Sequence, residues 1–174
     1  ESGAINDGVP AVVRRMRGRE KWMIPILMIL FGLCGTTFGM WEETMAFYPI
    51  LLPVFLAAGY DALVSVSVIL LGAGAGVLCS TVNPFATGIA SGFAGISLGE
   101  GLVLRFVMLL VYEAVAIWFV MGYAARIKAN PDASIMAHNR WPEHEIPNMD
   151  EAEPLTLKQK IVLILFAAVF LVMI

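Results

Sequence analysis

The sequence predicts an all-α membrane protein, a helical bundle that contains a re-entrant hairpin and a discontinuous helix. Three observations predict it. The 174-residue chain is 59% hydrophobic and 14% charged, where soluble domains average about 45–50% apolar and about 25% charged residues; its mean hydropathy is +0.81. Charge is also withdrawn to the ends: between Trp22 and Ala125 only Glu42, Glu43, Asp61, Glu100, Arg105 and Glu113 carry any. No water-exposed surface can be built from such a stretch, which excludes a soluble enzyme, a nucleic-acid binder and a disordered tail. The third observation is that the apolar segments have lengths unlike those of simple crossings.

Residues 1–21 form a flank ending in Arg14, Arg15, Arg17, Arg19 and Lys21, and basic residues beside a membrane segment mark its cytoplasmic side. Trp22 then suits the interface. Trp22–Phe38 is apolar over 17 residues and Met45–Ala58 over 14. As helices they reach about 26 and 21 Å, short of a hydrocarbon core of roughly 30 Å. With the acidic tip Gly39–Thr44 between them, residues 22–58 read as a re-entrant hairpin. Pro49 and Pro53 fit a second arm packed inside protein rather than against lipid. As one helix, Ala62–Ile96 would be about 52 Å long. Pro84 lacks an N–H and biases Asn83 away from helix, so 62–96 reads as a helix broken at Ser80–Pro84. Such a break is tolerated where protein buries it or where it lines a polar cavity.

Leu102–Ala125 is an ordinary crossing ending at the basic Arg126 and Lys128. Parity agrees: the hairpin enters and leaves on the cytoplasmic side, the broken helix goes out, and the next helix returns. Residues 126–160, with four prolines and mixed charge, form a cytoplasmic linker whose last part, Leu155–Lys160, is an amphipathic lead-in. Ile161–Ile174 is the start of a truncated transmembrane helix. The chain begins at Glu1 and shows no signal-peptide pattern; it reads as a piece of a longer protein.

No HExxH, GxSxG or Walker A motif is present. Gly72-Ala-Gly74-Ala-Gly76 lacks dinucleotide-binding spacing and, like Gly88 and Gly92, reads as small residues that let helices approach. Cys34 and Cys79 lie in apolar stretches as small buried hydrophobes. His138 and His144, near Glu143 and Glu145, read as solvated loop residues, since no third ligand follows at metal-site spacing.

The two polar interruptions are the informative positions, and they nominate Thr37, Glu42, Glu43, Thr44, Ser80, Thr81, Asn83 and Thr87 as substrate- or ion-binding residues. Hydroxyls, an amide and carboxylates are hard oxygen ligands suited to a small cation, with Na+ or H+ as coupling ion and no other cofactor. A half-helix starting near Phe85 offers N–H groups to an anionic substrate group. The competing account is that the Ser and Thr side chains bond back to their own helices. Glu113, mid-crossing, is a functional candidate because a carboxylate at membrane depth is costly; its alternative is a hydrogen-bonded structural residue. Arg105, about 12 Å along the same helix, is expected to snorkel to the interface.

Phe38-Gly39-Met40-Trp41-Glu42-Glu43-Thr44-Met45-Ala46-Phe47-Tyr48-Pro49-Ile50 and Gly76-Val77-Leu78-Cys79-Ser80-Thr81-Val82-Asn83-Pro84-Phe85-Ala86-Thr87-Gly88 resemble the YfcC-like family of bacterial inner-membrane carriers. That family is grouped with anaerobic C4-dicarboxylate carriers and arginine/ornithine antiporters. The resemblance covers the whole chain. It implies the ion-transporter superfamily fold, with two inverted repeats, each holding a re-entrant hairpin and a broken helix, and a homodimer at full length. This chain would hold most of the first repeat, the linker and the start of the second. In relatives a Ser-Asn-Thr signature at the hairpin tip binds cation and substrate carboxylate. Here the tip reads Trp41-Glu42-Glu43-Thr44, and Ser80-Thr81-Val82-Asn83-Pro84 stands at the helix break. The function implied is secondary transport of a carboxylate-bearing organic ion, an amino acid such as arginine or ornithine or a C4-dicarboxylate, by symport or antiport. The partners implied are membrane lipid and that small solute, not nucleic acid. A structural or regulatory membrane subunit is the alternative; it accounts for apolar helices but not for two polar breaks.

Overall fold

The structure is a computed structural model that describes residues 19–138 and, beyond them, 156–158, 161, 164–165 and 168. Most of the expected basic flank, the linker from residue 139 with His144, Glu143 and Glu145, and most of the final apolar segment lie outside the described residues.

Regular structure among the described residues is helical. A 3-10 turn, Glu20–Trp22, leads into α1 (Met23–Phe38); a second, Glu42–Phe47, leads into α2 (Tyr48–Ala57). Then follow α3 (Ala62–Leu78), a π-type turn Pro84–Gly88, α4 (Ile89–Ala94), α5 (Leu102–Ala129) and a short turn Pro131–Ala133. Each boundary has a local cause. Gly39 ends α1 at φ 81°, with its N–H on the Cys34 carbonyl. Any L-residue there would pay about 1–2 kcal/mol for the left-handed backbone. The second hairpin arm is α-helical only from Tyr48. Before it, the Thr44 hydroxyl donates to the Trp41 carbonyl at 2.6 Å and the Glu43 carboxylate accepts from the Trp41 N–H at 3.3 Å, local bonds that compete with regular α-helix. Asp61 caps α3 by accepting from the Val64 N–H at 2.9 Å. α5 runs past the expected end at Ala125, because Arg126 and Lys128 are good helix formers that suit a C-terminus. It stops where Pro131 favours extended backbone at Asn130, φ −144° and ψ 98°.

α3 is the centre of the packing. α1 lies beside it in the same direction: Met28 backs Gly72, Gly32 backs Gly76, and Thr36 reaches Cys79. The seam is backbone on backbone. A Cβ at Gly72 would stand 2.9 Å from the Met28 Cα and carbonyl oxygen, one at Gly35 2.6 Å from the Ala73 carbonyl, and one at Gly76 would collide with the Gly32 carbonyl. Gly88 and Gly92, by contrast, meet no other helix among the described residues. α2 runs back beside α3: Phe47, just before it, packs edge-on against Phe31 (centroids 5.2 Å apart), and Val54 and Phe55 join Met23, Ile24, Met28, Val64 and Val68 in one buried cluster. α5 runs opposite to α1 and α3, with Glu113 against Gly32 and Val120, Ala124 and Ile127 in that same cluster. The start of α1, the end of α2, the start of α3 and the end of α5 therefore meet at one end, the base.

The base is tied by polar contacts. Asp61 accepts from Tyr123 Oη at 2.8 Å and from Ser134 Oγ. Lys128 donates to the Ala58 carbonyl at the end of α2 and lies over the Tyr60 ring, 5.0 Å from its centroid. α5 keeps a broad apolar face outward, including Val103, Leu104, Phe106, Leu110, Val115, Trp118 (76% exposed) and Phe119. Two helices, Glu20–Phe38 and Leu102–Ala129, are long and apolar enough to cross a membrane. The first arm, with its leading turn, is thus longer than the 17 apolar residues suggested, and the two arms of the hairpin are unequal.

Candidate transport site at the helix break

α3 ends at Leu78, and the backbone leaves helical geometry through Cys79–Asn83 before winding again at Pro84. Among the residues of this break, Cys79, Ser80, Thr81 and Asn83 are all buried, as is Thr87 in the turn that follows. A buried break must satisfy its released backbone groups, and α1 does so. The Thr36 hydroxyl accepts from the Thr81 N–H at 2.9 Å and lies 3.2 Å from the Cys79 carbonyl and 3.1 Å from Thr81 Oγ1. The Thr36 carbonyl takes the Val82 N–H at 3.3 Å and the Thr81 hydroxyl at 3.4 Å.

Asn83, 1% exposed, holds the far side. Its Oδ1 accepts from the N–H groups of Phe85 at 2.8 Å and Ala86 at 3.2 Å, and its Nδ2 donates to the Gly35 carbonyl at 3.5 Å. The amide lies flat on Gly39, where a Cβ would stand 2.6 Å from Nδ2. Asn83 is therefore the N-cap of the second half-helix and its tie to α1. The N–H groups of Phe85 and Ala86, expected to face a substrate anion, are taken by this cap. Ser80 and Thr87 close the loop between them: Thr87 donates to the Ser80 carbonyl at 3.0 Å, and the two hydroxyls lie 2.7 Å apart.

The nominated residues divide. Ser80, Thr81, Asn83 and Thr87 are gathered at the break against α1. Thr37, Glu42, Glu43 and Thr44 are not part of that cluster. Thr37 bonds the Leu33 and Cys34 carbonyls of its own helix, and Thr44 bonds the Trp41 carbonyl. Glu42 and Glu43 are exposed, with Glu43 turned back onto the Trp41 N–H. The tip approaches α3 through Trp41, whose ring would lie 3.2 Å from a Cβ at Gly74. Thr36 is the member that residue type alone did not pick out. Its signal was spacing: it stands four residues after Gly32, on the face that meets α3, whereas Thr37 is rotated off it.

Glu113 is 8% exposed and presses on α1, where a Cβ at Gly32 would stand 2.7 Å from Oε2. Neither of its oxygens has a hydrogen-bond partner among the described residues. Arg105 does not reach outward as expected; its guanidinium donates to the carbonyls of Leu98 and Glu100, at 2.8 Å for the latter, and so braces the loop before α5. Cys34 and Cys79 are buried free thiols. Among the described residues no three His, Cys, Asp or Glu side chains gather as a metal site. The break thus offers neutral oxygens and amides. From Trp22 to Leu104 the only charged side chains are carboxylates.

The whole chain, residues 1–174, matches the DcuC family, C4-dicarboxylate anaerobic carrier. It is 39% identical over 177 aligned positions to an uncharacterized protein of Haemophilus influenzae, covering 99% of this chain and 35% of that protein. It is 36% identical over 168 positions to the Escherichia coli protein named "Putative basic amino acid antiporter YfcC", covering 97% of this chain and 33% of that protein. The chain thus spans about a third of the length of these relatives. No solved structure matches it. A buried, sealed helix break between apolar helices is the kind of element a membrane carrier needs, and with the match over its full length this chain belongs to the DcuC family of carriers, a transporter family and not an enzyme family.

Proposed function

We propose that the full-length protein is a secondary active carrier of a carboxylate-bearing organic ion, with a basic amino acid such as arginine or ornithine preferred over a C4-dicarboxylate, driven by a coupling ion or by exchange. The observation that carries this reading is the break at Cys79–Asn83, buried against the end of α1 and lined by Thr36, Ser80, Thr81, Asn83 and Thr87. Irregular backbone between apolar helices is the usual setting of a midplane transport site. The neutral oxygens there can solvate a cation or an ammonium group when the local bonds open. The exposed pair Glu42 and Glu43 at the tip, with no cationic side chain between Trp22 and Leu104, favours a positively charged substrate group. The name of the Escherichia coli relative points the same way.

In this reading residues 22–58 dip into the bacterial inner membrane and return, residues 1–21 and 126–160 are cytoplasmic, and an inverted second repeat completes the site in a homodimer. Proteoliposomes holding the full-length protein should show saturable counterflow of radiolabelled arginine or ornithine. Counterflow of succinate or fumarate but not of basic amino acids would reassign the substrate, and no counterflow of either class would overturn the reading.

A further inference from the structure

We propose that Glu113 is the coupling-proton site of this carrier: its carboxylate takes up a proton from one side of the membrane and gives it up to the other during the transport cycle. This rests on the carrier reading above and names its coupling ion. Glu113 lies near the middle of α5, 8% exposed, with neither carboxylate oxygen hydrogen-bonded among the described residues. A structural carboxyl group would be expected to hold a donor or acceptor, since buried polar groups are otherwise costly. An intramembrane carboxylate with no such role marks an ion or proton path.

Among the described residues its surroundings also lack a counter-charge. α1 faces it with Gly32, whose missing side chain leaves the notch that the carboxylate fills. Of titratable groups on the packed elements, α1 carries Cys34, α2 carries Tyr48 and α3 carries none. Cys79 lies in the break, where the Thr36 hydroxyl meets its carbonyl. Arg105 is committed to the Leu98 and Glu100 carbonyls. A metal cation would need several ligands around it, and among the described residues no cluster of three His, Cys, Asp or Glu side chains includes Glu113; a proton needs one oxygen.

The location links charge to conformation. Glu113 sits on Gly32, the same glycine whose carbonyl backs Gly76 in the α1–α3 seam, and one helical turn further along α1 Thr36 makes its contacts with Cys79 and Thr81. When the O–H bond forms, the group is neutral and fits the apolar notch. When it breaks, the charge favours a wetter arrangement, which requires α5 to shift against α1 and α3. The proton that enters is the proton that leaves, so the carboxylate ends the cycle as it began.

The test uses the full-length protein, wild type and Glu113→Gln, in proteoliposomes with a pH-sensitive dye inside. Expected for the wild type is arginine or ornithine accumulation driven by a pH gradient, with matching proton movement. Expected for Glu113→Gln is retained counterflow with loss of both gradient-driven accumulation and proton movement. Proton-coupled accumulation that survives in Glu113→Gln would overturn the inference and leave the carrier reading standing, as would wild-type transport indifferent to the pH gradient. Should the wild type move no solute, the carrier reading fails. Infrared titration then decides the site independently: a carboxyl C=O band that comes and goes with pH and is missing in Glu113→Gln supports a proton site, and identical spectra reject it. Glu113→Asp guards against a folding defect, since it should keep a shifted, titrating band and part of the proton movement.

Discussion

Replacing Asn83 with alanine removes three interactions at once, and the structure allows the loss to be apportioned. The Oδ1 cap on the Phe85 and Ala86 N–H groups is of a kind worth about 0.5–2 kcal/mol when truncated to alanine. The Nδ2 bond to the Gly35 carbonyl is long, 3.5 Å, and side-chain bonds between membrane helices average about 0.6 kcal/mol. Asn83→Ala should therefore cost about 1–2.5 kcal/mol, roughly 5- to 70-fold in the unfolding equilibrium. Two further variants separate the parts. Asn83→Ser keeps a short acceptor for the cap and loses the tie to Gly35, so it should recover most of the stability. Asn83→Asp keeps the cap acceptor but places an oxygen where Nδ2 meets the Gly35 carbonyl, and should fall at or below alanine. The assay is reversible unfolding of the full-length carrier in mixed micelles, followed by circular dichroism, with counterflow measured on the same samples. Equal stability of the Ser and Ala variants would refute the capping argument, and an Asp variant as stable as wild type would refute the contact with Gly35.

Thr36→Val should destabilise by about 1–3 kcal/mol, because it strands the buried Thr81 N–H, while Thr37→Val, which loses only bonds to its own helix, should be near neutral in the same unfolding assay. Gly76→Ala places a methyl group against the Gly32 carbonyl and should cost about 1–3 kcal/mol as overpacking; Gly92→Ala, with open space around it, should be neutral or gain up to about 1 kcal/mol from helix propensity. Comparable losses at both glycines would mean that the α1–α3 seam is not as close as described. Asp61→Ala removes the α3 cap and the acceptor for Tyr123 and Ser134; amide hydrogen exchange should rise over the first turn of α3 and at Ile135, and leave the Thr36–Thr81 region unchanged.

Much of the architecture was legible in one dimension because the determinants are local. Charge depletion between Trp22 and Ala125 marks a membrane chain by solvation alone, Pro84 breaks a helix wherever it stands in one, and Gly39 ends one through a backbone that other residues resist. The break was accordingly placed within about a residue of where α3 ends. Boundaries set by weaker local effects moved: α5 ran on through Arg126 and Lys128, and the Glu42–Phe47 turn shortened α2. What residue type could not convey was direction. Thr36 and Thr37 are chemically identical, and only the pairing of Gly32 with Gly76 determines that the first faces the break and the second does not. Asn83 was identifiable as polar and buried, but its use as a cap, which occupies the N–H groups expected to meet a substrate, depends on the turn that follows it. Glu42 and Glu43 were nominated with the break although some 40 positions separate them from Asn83, yet both are exposed and Glu43 folds its carboxylate back on Trp41. Glu113 stood out by its cost at membrane depth; that it has no partner and rests in the notch of a glycine 81 positions earlier follows from helix packing, because a contact between distant segments is chosen by shape and desolvation summed over whole helices and not by any short run of residues.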